Sequence, residues 1–434
     1  MQEEKSQQAR RVANELLKQL VVNDYPGAVQ MFGDLLRKTM SVEQLTVRWQ
    51  ALLAEVGQWQ QLISTRSRQA RRFEFVLLRC EFSRGQIDIQ VVLDPQTQVM
   101  GLRFLAVSAQ STVDDTSVTY APPGYAEPST YREAEMNVGM MQWPLPATLT
   151  RPVGDGPFPA VLLVHGSGPQ DRDQTLGVNK PFRDIAQGLA SRGIAVLRYE
   201  KRTHHYAARL TEQGLQITTD TETIQDAVAI AGLLRSLPGI DPKRVFIAGH
   251  SLGGALLPRI LMREQLLAGG VILAGPARPF EDCLYDQAVY LLARSKLSEQ
   301  EQEAQLVTLK AQVTRVKHAH QLREAPPEDL PLGLPASYWL DLRGYKPANQ
   351  AARLSQPLLI LQGERDYQVT AADFELWQQA LLDAPRARFK LFSSLNHQFM
   401  TGEGDSCPAE YQRPGHVDQR VIDCIADWIR GITG

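Results

Sequence analysis

The sequence predicts two folded regions: a small α+β domain over residues 1–107, with helices followed by an antiparallel sheet, and an α/β domain over 135–434 built on a mostly parallel sheet. Three observations lead there. Apolar residues near the start recur at helical spacing and then give way to alternating runs. Residues 108–134 are rich in Ser, Thr, Pro and Gly, with Pro122-Pro123-Gly124 at the centre, and read as a linker. Beyond them, short continuous apolar runs alternate with helical patterns, as expected of strands covered on both faces.

The totals agree with a folded chain. At 434 residues it is too long for one ordinary core, and 43% hydrophobic with 22% charged residues is near the globular average. A formal net charge of −2 gives no pull toward nucleic acid or an anionic membrane. No stretch reaches transmembrane length. The polar start, Met1-Gln2-Glu3-Glu4-Lys5, lacks the apolar core of a secretory signal, so a cytoplasmic location is favoured; a protein exported with its leader removed would read the same. Cys80, Cys283, Cys407 and Cys424 show no metal-type spacing, and no disulfide is expected, although Cys407 and Cys424 are the pair open to an exported protein.

Helical spacing runs through Val12, Leu16, Leu17 and Leu20, and again through Val29, Phe32, Leu35 and Leu36. A third helix enters at Ser41, with Gln44 three residues on as a capping-box signal, and continues through Leu45, Trp49, Leu52 and Val56. Phe73 to Phe82, Gln86 to Leu93 and Met100 to Ala106 then read as a meander, separated by Ser83-Arg84-Gly85 and Asp94-Pro95-Gln96 turns. This arrangement resembles the helix-plus-curved-sheet domain, akin to the nuclear-transport-factor-like fold, that precedes some bacterial hydrolases.

In the second region a hairpin is expected across Met136 to Thr150, then a strand Ala160 to Val164 that ends in His165-Gly166-Ser167-Gly168. A helix over Phe182 to Ala190, a strand over Ile194 to Tyr199 and a helix over Thr221 to Leu237 follow. Val245 to Ala248 leads into Gly249-His250-Ser251-Leu252-Gly253 and a helix from about Leu252. Further strands are Val271 to Ala274, Pro357 to Leu361 and Phe389 to Phe392, and a helix over Val417 to Ile432 closes the chain. Residues 277–354 interrupt the alternation with polar helical sequence, either a helical cap over the site or a solvated insertion.

Gly-x-Ser-x-Gly between a strand and a helix places a serine on a sharp turn with strained backbone, and small neighbours let the chain pack closely there. Together with His165 to Asp173, Arg198-Tyr199-Glu200-Lys201-Arg202, Leu361 to Asp366 and Asn396-His397, this motif makes residues 136–434 resemble an α/β-hydrolase of the dienelactone hydrolase, cinnamoyl-esterase and serine aminopeptidase type. Dienelactone hydrolases use cysteine, so a serine esterase is the closer comparison.

The resemblance implies a Ser251 nucleophile, with the acid and then the histidine following it in sequence. Asp366 lies in the loop after the strand ending at Leu361, with Glu364 as the alternative carboxylate, and His397 lies in the loop after the last strand. Of the eight histidines only His397 meets both order and position. The oxyanion donors it implies are the amides of Leu252 and Ser167. Asp171, with Arg172 and Asp173, either contacts substrate or pairs locally or with Arg202 to hold its loop. Tyr338 and Trp339 either line a pocket beneath the cap or belong to the core.

The leading expectation is hydrolysis of small or medium carboxylic esters through an acyl-enzyme, with no metal or organic cofactor. A serine peptidase or aminopeptidase on short peptides or aminoacyl amides would share the triad. A non-catalytic binding module on the same fold is the reading of another class, against which the complete triad argues. A lipase at membranes is disfavoured for want of a long apolar lid. The N-terminal domain is open to three roles: enclosing the site, pairing two copies as a homodimer, or binding a second ligand.

Overall fold

Alternation in the strand Phe73–Phe82 turns Val76, Leu78, Cys80 and Phe82 inward, one residue in two, as a sheet with one covered face requires. The computed structural model describes residues 2–70, 73–106, 120–295 and 297–432, and the chain divides into two compact units, Met1–Val118 and Thr119–Gly434. Residues 108–119 of the expected linker lie outside the described residues.

The first unit has a four-stranded antiparallel sheet in the order β1 (Trp59–Ala70), β2 (Phe73–Phe82), β3 (Gly85–Leu93), β4 (Val99–Ala106). The helices Gln2–Val21, Tyr25–Gln30, Asp34–Thr39 and Val42–Val56 precede it. Leu16, Leu20, Phe32, Leu45 and Trp49 from the helices share a core with Val76, Leu78, Ile89 and Val91 from the sheet. The capping box forms as expected: Gln44 N donates to Ser41 Oγ, and Ser41 N donates to Gln44 Oε1 at 2.9 Å. β1 was not expected from the sequence. Its residues Gln60 to Ser67 are polar at most positions and none of them is buried, so no apolar alternation marks it; its register comes from pairing with β2 along one edge.

The second unit holds an eight-stranded sheet in the order β12-β11-β10-β9-β7-β8-β6-β5. β5 (Tyr131–Met140) and β6 (Trp143–Pro152) are the antiparallel hairpin, and β5 begins inside the stretch expected to be linker. β7 (Phe158–Val164), β8 (Ala195–Tyr199), β9 (Ile240–His250), β10 (Gly269–Leu273), β11 (Leu358–Gly363) and β12 (Ala387–Phe392) run parallel to one another. Both faces are covered, as the continuous apolar runs require. Ala160, Leu162 and Val164 of β7 enter one core, and Val161 and Leu163 enter the other. On the second face the closing helix Gln419–Gly431 presents Val421, Ile422, Ile425, Ala426 and Ile429 at helical spacing.

Residues 277–354 are helical, with segments Phe280–Leu292, Glu299–Lys317, Ala319–Glu324, Ala336–Leu342 and Pro347–Ala351. They split in two. Glu299–Lys317 is largely solvated and buries only Val313 and Val316 near its end, whereas Tyr338, Trp339, Leu342 and Tyr345 belong to the main core. Among the described residues no helix is long and apolar enough to cross a membrane, and the four cysteines are free thiols.

Glycine is required where the helix Leu252–Arg263 crosses the strand ends. A Cβ on Gly253 would lie 2.5 Å from the His165 carbonyl oxygen and 2.6 Å from that of Val164, and one on Gly249 would lie 2.3 Å from the Gly253 oxygen. Backbone atoms cannot give way as a side chain does. Gly253→Ala is therefore expected to lower the unfolding free energy by about 1 to 3 kcal/mol, read from the shift of the urea midpoint at unchanged slope.

Candidate active site

The serine of the Gly-x-Ser-x-Gly run is held in a conformation that β9 and the following helix impose from opposite sides. Ser251 has φ 53° and ψ −122°, a region that L-residues rarely occupy and that costs on the order of 1–3 kcal/mol. Its amide donates to the Leu273 carbonyl of β10 at 2.8 Å, which ties the turn to the neighbouring strand.

The loop after β11 brings in Asp366. Its carboxylate is buried and uses both oxygens fully: Oδ1 accepts from the amides of Gln368 at 2.8 Å and Val369 at 3.0 Å, and Oδ2 accepts from Gln362 Nε2 at 3.0 Å and His397 Nδ1 at 2.7 Å. Glu364, the alternative carboxylate, is exposed. His397 is 3% exposed, and with Nδ1–H committed to Asp366 its Nε2 is left as the basic end. Asn396 fixes the loop, its Oδ1 accepting from the amides of Gln398 at 3.0 Å and Met400 at 3.1 Å. The acid and histidine loops also touch through backbone: a Cβ on Gly363 would lie 2.3 Å from the Leu395 oxygen.

Ser251, His397, Gly166 and Ser167 line one cavity of about 290 Å³, together with Gln170, Thr175 and Tyr411. Of the expected oxyanion donors, the amides of Ser167 and Leu252, the first belongs to the loop after β7 and the second opens the helix after Ser251. That helix's N-terminus adds positive potential there.

Two residues that sequence reasoning left without a role connect these loops. Gly166 N donates to Gln174 Oε1 at 3.2 Å, Gln174 Nε2 donates to His250 Nδ1 at 2.8 Å, and His250 Nε2–H donates to the His397 carbonyl at 2.8 Å. The loop after β7 and the histidine loop are thus joined through a neutral imidazole. Only His250's place inside the serine motif hinted at this, since Gln174 is reached by tertiary contact. A third such residue, Lys201, donates from Nζ to the carbonyls of Gly166 and Gly168.

Three expected substrate contacts are corrected. Tyr338 and Trp339 do not line the cavity: Trp339 is fully buried and stacks on Phe280 at 5.9 Å, and the Tyr338 hydroxyl donates to Glu222 Oε2 at 3.0 Å. Their flanking sequence packs them into the main core, where large aromatic area is best removed from water. Asp171 is not a lining residue either; its carboxylate accepts from the amide of Thr175 at 2.8 Å and from Thr175 Oγ1 at 2.6 Å, closing its own loop. Arg202 takes no part there, as it pairs with Asp226, while Asp173 pairs with Arg198 and Lys180 and Arg172 with Glu200. No described residue of 277–354 lines the cavity. Among the described residues no cluster of His, Cys, Asp or Glu has the arrangement of a metal site.

Comparison with known proteins agrees with this fold. Residues 161–411 match the model of the alpha/beta hydrolase family, and residues 13–102 match a family described as a protein of unknown function, DUF3887. The chain belongs to the alpha/beta hydrolase family. It is 37% identical over 410 residues to esterase EstD of Thermotoga maritima, covering 94% of this chain and 92% of the relative. Similar solved structures include Est1E from Butyrivibrio proteoclasticus, at 14% identity and TM-score 0.44 over 68% of this chain and 99% of that one. A putative dienelactone hydrolase from Klebsiella pneumoniae is similar at 18% identity and TM-score 0.41, over 69% of this chain and 99% of that one.

Two measurements check the geometry. Ser251→Gly removes the conformational penalty that Ser251→Ala keeps, so the glycine variant is expected to be more stable than the alanine variant by about 1 kcal/mol in urea unfolding. The second concerns pH. Burial, reinforced by the Lys201 charge at His165 and by His397 at His250, pushes both imidazoles down to about 3 from 6.5. Between those values the unfolded chain binds more protons than the folded one, so this stability is present above about pH 6.5 and is lost as pH falls. Tm is expected to drop between pH 7 and pH 5, with the fall reduced in His250→Asn.

Proposed function

We propose that this chain hydrolyses carboxylic esters of small or medium acyl groups through an acyl-enzyme on Ser251. The observation that carries the reading is the buried 2.7 Å contact of His397 Nδ1 with Asp366 in a histidine that lines the same cavity as the strained Ser251. The 37% identity to an esterase over nearly the whole chain supports the same chemistry.

In this mechanism Ser251 Oγ attacks the ester carbonyl carbon while His397 Nε2 takes its proton. Asp366 holds the ring in the tautomer that leaves Nε2 basic and stabilises the imidazolium that forms. The carbonyl oxygen becomes an oxyanion that accepts hydrogen bonds from the amides of Ser167 and Leu252, each donor contributing about 3 to 4 kcal/mol. The imidazolium then protonates the leaving alkoxide, the alcohol departs, and water activated by His397 releases the acid and restores Ser251.

The neutral state of His250 fits this cycle. A second charged imidazole, in ring contact with His397 at 4.6 Å between centroids, would oppose the imidazolium. Burial keeps His250 uncharged.

An organophosphonate is expected to label Ser251 and not Ser251→Ala, read by intact mass; a folded wild-type protein that resists labelling overturns the proposal. His397→Ala should lower kcat by roughly 10⁴-fold or more in a protein that still folds, as read by circular dichroism. A panel of short-chain nitrophenyl esters beside aminoacyl nitroanilides tests the bond type. Preference for the anilides would replace the ester reading with peptidase action.

A further inference from the structure

The loop that carries one of the two oxyanion donors is gripped from behind by a buried cation. Lys201, 1% exposed, lies two residues beyond the end of β8. Its Nζ donates to the Gly166 carbonyl at 2.8 Å and to the Gly168 carbonyl at 3.0 Å, and pairs with Glu222 Oε1 at 3.3 Å. An ammonium has three protons, and these three partners use them all. Glu222 is itself buried and held: Oε1 accepts from Thr203 Oγ1 at 2.9 Å, and Oε2 accepts from the Tyr338 hydroxyl at 3.0 Å. It sits in the single π-turn Asp220–Ile224.

Burial draws the Lys201 ammonium below the usual lysine range, and Glu222 works against that shift. A buried ion pair of this kind is weak support for stability, since apolar residues of equal volume often serve as well. Its placement asks for another reason.

The Gly166 carbonyl and the Ser167 amide belong to one peptide group, and that peptide is trans. In a planar trans peptide the C=O and N–H bonds point in opposite directions. A cation fixed on the oxygen therefore aims the N–H the other way, and the cavity shared by Ser167 and Ser251 is where that donor is needed. The same contact polarises the amide, leaving its hydrogen more positive and a stronger donor. With the Gly166 carbonyl held, this peptide cannot flip without breaking a charge-assisted bond, and the second bond of Lys201, to the Gly168 carbonyl, fixes the loop just beyond Ser167.

We propose that Lys201 is a positioning residue of the oxyanion hole, which orients and polarises the Ser167 N–H through the Gly166 carbonyl. The proposal rests on the ester-hydrolysis reading above. The charge is in place before reaction, so it favours the tetrahedral oxyanion over the neutral ester without reorganisation at the moment of attack.

Lys201→Met and Lys201→Gln test it, with an alkyl boronic acid as the probe of the tetrahedral oxyanion. In Lys201→Met, kcat is expected to fall about 100-fold with KM changed less than about threefold, and the boronate inhibition constant should rise by the factor that kcat/KM loses. Lys201→Gln keeps an N–H donor group without the charge and should fall between the parent and Lys201→Met. Folding of each variant is read by circular dichroism and Tm. If Lys201→Met fails to fold, the glutamine variant decides by the same readings. Unchanged kcat and boronate affinity in a folded variant, or a loss confined to KM, overturns the proposal while leaving ester hydrolysis standing. A wild-type protein that neither turns over esters nor takes the phosphonate label overturns both.

Discussion

The arrangement of the second unit depends on one backbone conformation, that of Ser251 at positive φ between β9 and the helix Leu252–Arg263. A chain that turns this sharply brings the helix start against the ends of β9 and β7, which is why the positions facing the crossing carry no side chain. The strain persists because the surroundings over-determine it: the Ser251 amide is bonded to β10, and the helix that follows is buried through Leu252, Ala255, Leu256 and Leu257. Its result is that Ser251, His397 and the loop after β7 line one cavity.

Around that turn the structure manages polar groups with little room for water. Burial keeps His165 and His250 neutral, and His250 gives the proton on Nε2 to the His397 carbonyl and accepts on Nδ1 from Gln174. Charged groups are paired instead: Lys201 with Glu222, Arg202 with Asp226, and Arg198 with Asp173. Leaving any one partner alone in such surroundings would cost several kcal/mol, so each pair fixes the loop that carries it. The loops after β7 and β8 are tied together in this way, and so is the register of β8 against the hairpin, through Arg198 and Glu133.

The helical insertion shows how two functions separate within one stretch. Its polar helix Glu299–Lys317 is largely solvated, while the later segment Ala336–Leu342 enters the main core and sends the Tyr338 hydroxyl to Glu222, the partner of Lys201. Its influence on the site therefore passes through Glu222 and Lys201, which hold the loop after β7. The cavity is lined by other segments.

Much of this was legible in the sequence because it is written in local spacing. Gly249 to Gly253, the apolar runs of β7 to β11 and the helical stripe of the last helix are patterns of adjacent residues, and local physics alone makes them strands, a turn and a helix. Asp366 and His397 were also legible, as polar residues in the loops that follow β11 and β12. What only the tertiary structure decided involves partners far apart in the chain. Whether Asp366 or Glu364 meets His397 depended on which side chain turns inward, and the 31 residues separating Asp366 from His397 carry no signal of that. β1 is a strand because an edge was available beside β2, and its polar residues show no period of their own. Gln174, His250, Lys201 and Glu222 act through contacts made only once β7, β8 and β9 lie side by side. Burial then decides which donor must meet which acceptor, and burial belongs to the folded molecule.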